Sequence, residues 1–150
     1  MNAYVITVVL HVALATLWFA GGLFPSRILK STRALGNDAF RVGAEMASHC
    51  GMLAGVGAIG AFVSGIAMIF VRYGGFSGLP VPFHIALTLV LLGVLMGLFG
   101  YRPLFRSLVE LAEQGKTTSD EVTALIKRVS MMTGISHLLW LGALVCMFLK

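Results

Sequence analysis

The chain has 150 residues, 58% hydrophobic and 11% charged, with a formal net charge of +5. A soluble domain carries about 25% charged residues, so the composition excludes an ordinary soluble fold and indicates one membrane domain over residues 1–150. The basic residues cluster in two loops that would face lipid headgroups, which argues for a role in topology and against nucleic acid as a partner.

Residues 3–24 are the first charge-free apolar stretch and contain His11 and Trp18. A crossing takes about 20 apolar residues. Met1 to Tyr4 hold no Lys or Arg and no convincing cleavage site follows, so this stretch is read as a span rather than a signal peptide. The loop from Pro25 to Glu45 carries Arg27, Lys30, Arg33 and Arg41. Gly36-Asn37-Asp38 breaks the chain and caps the next helix, whose part from Asp38 to Glu45 projects beyond the bilayer.

The second span, 46–71, contains His49 and is rich in small residues. Gly51 and Gly55 form a GxxxG pair, and Gly60/Ser64 and Ala61/Gly65 repeat the small-xxx-small spacing. Such spacing serves close helix packing; it also leaves room for a flat ligand. Pro80-Val81-Pro82 ends the next loop, and span 83–101 begins with His84. Pro103 either kinks that helix or starts the following segment, where Leu104, Phe105, Leu108, Val109, Leu111 and Ala112 make an apolar stripe suited to the membrane surface. Gly115 stops this segment, and Thr118-Ser119-Asp120-Glu121 reads as a capping box with Thr118 at N-cap and Glu121 at N3. The fourth span, 129–149, contains His137, Trp140 and Cys146.

The two long loops carry nine Lys or Arg, against Arg72 and Lys150 on the other side. The positive-inside rule then predicts an all-α, antiparallel four-helix bundle in a bacterial inner membrane, with both termini on the outer, periplasmic side. Cys50 and Cys146 lie inside spans and are expected as thiols rather than a disulfide.

Each span carries one histidine, and the loops carry none. An ionisable ring in hydrocarbon is costly without a partner. Counted from the outer end, His84 lies about one residue deep, His11 about eight, His137 about twelve and His49 about twenty-two. Depth alone pairs His11 with His84 and His49 with His137, on diagonal helices, as axial ligands of two b-type haems. A one-haem arrangement pairs His11 with His137. The bland alternatives are a solvated His84, a Glu45–His49 pair one turn apart, and hydrogen bonds from His11 and His137 to neighbouring helices. Arg41, Arg102 and Arg128 on the inside and Arg72 on the outside are candidate propionate contacts, or serve topology alone. The expected activity is electron transfer involving a quinone or a partner subunit, with a homo-oligomer as a further option.

Met46, His49, Cys50 and Met52 form a competing cluster whose thioether, thiol and imidazole groups suit Cu(I). That leaves a copper-handling protein, and also a cofactor-free accessory subunit, as alternatives.

The run from Leu10 to Phe24, with His11, Trp18 and Gly21-Gly22, resembles the first helix of a group of four-helix membrane proteins. The group includes the copper-resistance protein D-like domains and the HemJ-type membrane protoporphyrinogen oxidases. Phe83-His84-Ile85-Ala86-Leu87 is similar to the start of the HemJ-type third helix. The resemblance implies a four-helix bundle, haem b binding with His11 as a ligand, a family-position histidine at His84, and protoporphyrinogen oxidation as one possible activity. Ala86 stands where HemJ-type proteins have a lysine, and the fourth span has no counterpart to their Asn-Glu-x-Pro stretch.

Overall fold

The computed structural model describes residues 2–149; Lys150, counted above among the outer charges, lies outside them. The described residues form helices α1 (Ala3–Leu23), α2 (Pro25–Arg33), α3 (Asn37–Tyr73), α4 (Val81–Met96), α5 (Arg102–Glu113) and α6 (Asp120–Phe148), with a π-helical turn over Gly97–Tyr101 and no strands. Four helical stretches, Ala3–Arg33, Asn37–Tyr73, Val81–Glu113 and Asp120–Phe148, are long and apolar enough to cross a membrane.

The four long stretches form a ring. α1 packs mainly on α3, α3 also touches α4, α4 packs on α6, and α6 closes against α1. Along α1 the partners on α3 run in reverse order: His11 meets Ser64, Leu14 meets Gly60, Trp18 meets Gly57 and Gly21 meets Ala54. The small residues of α3 set this closeness. A Cβ at Gly57 would overlap the Trp18 amide nitrogen and the Leu14 carbonyl, and one at Gly60 would lie 2.7 Å from a Leu14 methyl. Much of the glycine-rich face is thus taken up by helix packing, as small-xxx-small spacing allows. Gly55 and Gly97 have nothing within 4 Å of an added Cβ and leave open space instead.

Helix ends follow local chemistry. Gly74 closes α3 in the left-handed region, with φ +69, and its N–H reaches the Phe70 carbonyl. Pro80 caps α4, and Pro82 lies in its first turn, where a missing N–H costs nothing. Gly115, also at φ +69, ends α5, and the Lys116 N–H returns to the Leu111 carbonyl in a Schellman-type closure. The cap of α6 falls one residue later than expected: Ser119, not Thr118, accepts from the Val122 N–H. Thr117 is held by Asn37 through its hydroxyl and by Arg33 through its carbonyl, so the turn extends to Ser119 before the helix starts. Pro103 resolves as part of a continuous helix. The π-turn widens the backbone just before it, with the Arg102 N–H bonded to the Gly97 carbonyl five residues back. That wider turn lets a proline follow without the clash a regular helix imposes on the preceding turn.

The loops read from sequence are mostly helical. Leu29 of α2, Phe40 and Ala44 of α3, Phe105 and Leu108 of α5, and Val122 and Ile126 of α6 build one buried cluster at the end of the bundle that carries α2 and α5. The apolar stripe of α5 therefore faces protein, with Leu108 fully buried, rather than lying on a membrane surface. A second cluster, around Trp18, Ala58, Ala86, Val90 and Ala143, fills the core between the four spans.

Candidate functional site

Trp18 anchors the span core. Its indole sits over Gly93, and Nε1–H donates to Ser136 Oγ at 3.0 Å. Trp140 donates to the Ala15 carbonyl at 2.9 Å. Both tryptophans tie α1 to α6.

His11 is buried on α1 facing α3, with Nδ1 at 3.0 Å from Ser64 Oγ. Ser64 bonds back to its own helix, with Oγ at 2.6 Å from the Gly60 carbonyl. A hydroxyl has one proton, and a carbonyl can only accept it. Ser64 therefore gives its proton to Gly60, so His11 must donate from Nδ1. Nε2 is left with its lone pair. The ring also neighbours the Ala61 backbone, and it lines two cavities. Gly65 makes room for the ring, since a Cβ there would lie 3.3 Å from Cε1.

Two cavities flank His11. One, of about 110 Å³ between α1, α3 and α4, is lined by His11, Gly65, Met68 and Phe83, with Tyr4, Arg72 and Tyr73 toward the chain-terminal end. The other, of about 120 Å³ between α1 and α6, is lined by His11, Ala15, Trp18, Trp140 and Leu144. His11, Ala61, Val90 and Met147 line both. The Arg72 guanidinium lies 5.7 Å from the Tyr4 ring centroid.

No family model, curated protein or solved structure matches this chain. The site is therefore read from its own geometry.

The other histidines are placed differently. His137 is half-buried, with Nε2 at 3.3 Å from the Phe19 carbonyl and its ring tilted against Phe19 at 4.9 Å. A carbonyl cannot donate, so His137 gives Nε2–H to α1 and that nitrogen is occupied. His11 meets α3 at Ser64, whereas His137 meets α1 at Phe19, eight residues along α1 from His11 or about 12 Å. The structure does not bring these two rings together. His49 and His84 lie on exposed faces, so neither depth pair shares a core position. Glu45 makes no ion pair with His49; the salt bridge among the described residues joins Arg106 and Glu110.

Of the four candidate propionate arginines, Arg72 alone lines a cavity that His11 also lines. Arg102 lines a groove of about 360 Å³ between α3, α4 and the π-turn, and all four arginines are exposed. In the copper cluster, Met46, His49 and Met52 are exposed and Cys50 is half-buried. Among the described residues no three His, Cys, Asp or Glu side chains converge as a metal site. Cys50 and Cys146 are free thiols.

Ser64 matters here and is not a site residue in the sequence reading, and Met147, which the sequence offers only as a thioether for copper, lines both cavities. Ser64 entered only as a small packing residue; its hydroxyl, one turn after Gly60, was the available signal.

Proposed function

We propose that this chain is a multi-pass inner-membrane b-type cytochrome that binds one haem through His11 and carries electrons between a quinol or partner subunit and an acceptor. The observation that carries this reading is His11 itself: a buried ring, held with Nδ1 at 3.0 Å from Ser64 Oγ, that lines two cavities. Metal-ligating histidines characteristically donate their other N–H to a neighbouring group, which orients the ring and raises its basicity. Arg72 would meet propionates at the rim, and Met147 lies beside the same space. Each cavity is smaller than the roughly 300–1,000 Å³ of typical ligand sites. The two together still fall short of that range, so a haem would fit only with Met147 and neighbouring side chains moved aside. Bound haem supplies a one-electron couple whose potential depends on its axial ligands. The chain's own part is to hold the ring, exclude water with Trp18 and Phe83, and place a cation at the rim. The resemblance of the first span to haem-binding four-helix proteins supports the same choice. The reading includes an antiparallel bundle with both termini outside, supported by nine loop cations against two.

The test is the visible spectrum of the purified protein, oxidised and dithionite-reduced. A Soret band with sharp reduced bands is expected, lost in His11→Ala and kept in His84→Ala and His49→Ala. Ser64→Ala should lower haem affinity by roughly 10- to 100-fold. Stoichiometric copper in a colourless protein would replace this reading with a copper-handling one, and a colourless, metal-free protein with an accessory subunit. Equal haem content in all four histidine variants would refute the role of His11.

A further inference from the structure

A cleft of about 350 Å³ lies between α2 and α6, far from His11 and lined by Lys30, Arg33, Thr123, Ile126, Lys127 and Ser130. We propose that it binds the phosphate of an anionic lipid headgroup. Three cations converge on it. Arg33 is held in place, with Nε donating to the Thr117 carbonyl at 2.8 Å and an Nη to the Ser119 carbonyl at 3.5 Å. Carbonyls fix the guanidinium without neutralising it. Asp120 and Glu121 begin α6 nearby, yet the salt bridge among the described residues is the one between Arg106 and Glu110 on α5. Among the described residues no carboxylate oxygen therefore comes within 4.0 Å of the cleft's cations.

Position selects a lipid over a soluble anion. Lys127 is the next-to-last charged residue before the charge-free stretch 129–149, and Ser130 lies in that stretch's first turn. The cleft thus straddles the polar–apolar boundary, the level at which bilayer phosphates sit. Ile126, which also lines it, belongs to the buried cluster that contains Leu29 and Phe40. Basic pockets between helices at this level suit anionic headgroups, at a free-energy gain that accrues with each Lys or Arg.

The experiment uses the full chain in dodecyl maltoside, titrated with phosphatidylglycerol or phosphatidylcholine and read by native mass spectrometry. The parent should retain phosphatidylglycerol in preference to phosphatidylcholine. Lys30→Gln/Lys127→Gln should lose roughly 30-fold in affinity, while Lys116→Gln/Arg41→Gln, with the same change in net charge away from the cleft, should not. Arg33 stays in place, so its carbonyl contacts and the fold persist, as circular dichroism would show. Equal loss in both double variants, or equal retention of the two lipids, would overturn the site. If inorganic phosphate alone binds and fully displaces phosphatidylglycerol, the phosphate chemistry stands and the lipid source is overturned.

Discussion

Gly57→Ala and Gly55→Ala are the same chemical change two residues apart on α3, and they should have opposite effects. At Gly57 the added methyl would overlap the Trp18 amide nitrogen and lie 2.8 Å from the Leu14 carbonyl. Both obstacles are backbone, so no rotamer change relieves them and α1 must move off α3. Overpacking of this kind costs about 1–3 kcal/mol, and a rigid obstacle puts the cost at the upper end. At Gly55 nothing lies within 4 Å of the new methyl. There the substitution gains helix propensity, up to about 1 kcal/mol. The expected gap between the variants is therefore roughly 3–4 kcal/mol, from the two estimates combined. Unfolding in mixed micelles of dodecyl maltoside and rising SDS, followed by circular dichroism, measures it. Equal stability of the two variants would refute the seam between α1 and α3 as drawn here.

Phe40→Ala should destabilise by about 3–5 kcal/mol, because the ring is fully buried among α2, α5 and α6; the same denaturation assay reads it, and a loss below 1 kcal/mol would mean that these loop helices do not pack. Trp18→Phe keeps most of the aromatic bulk and removes the bond to Ser136, so a loss of about 1–2 kcal/mol is expected, with Ser136→Ala adding little once the indole N–H is gone. A cysteine replacing Gly75 should react with an impermeant thiol reagent in intact cells while one replacing Gln114 should not, and the reverse pattern would invert the orientation.

The four long apolar helices and most helix ends were legible in the sequence because length, charge and Gly or Pro positions leave few choices. Rotation about each helix axis was not. α1 and α4 are apolar on every side, and lipid is as apolar as a protein core, so no periodic contrast marks the inward face. That is why depth order alone could not show that His84 and His49 lie on exposed faces. Hydroxyls carry part of the missing signal. Ser64, Thr133 and Ser136 are buried and face a histidine, a tyrosine and a tryptophan on other helices. Thr7, Thr16 and Thr88 satisfy themselves on their own helix carbonyls and sit exposed, so a hydroxyl alone does not distinguish the two cases. The helical character of the loops was visible as the α5 stripe and the α6 cap, but its partner surface required α2, α3 and α6 together.

α3 spans 37 residues, or about 55 Å, against a hydrocarbon thickness of about 30 Å. At one end the surplus is locked into the Leu29–Phe40–Leu108 cluster and flanked by lysines and arginines. That end cannot slide into the bilayer without dragging a packed, charged cap with it. At the other end only the segment from Gly74 to Pro80 joins α3 to α4. When the surrounding membrane thins or thickens, the adjustment must fall there, where Arg72 and Tyr4 frame the opening toward His11. The chain length of the surrounding lipids should therefore change how open that cavity is, which the accessibility of His11 to small ligands in thin and thick bilayers would measure.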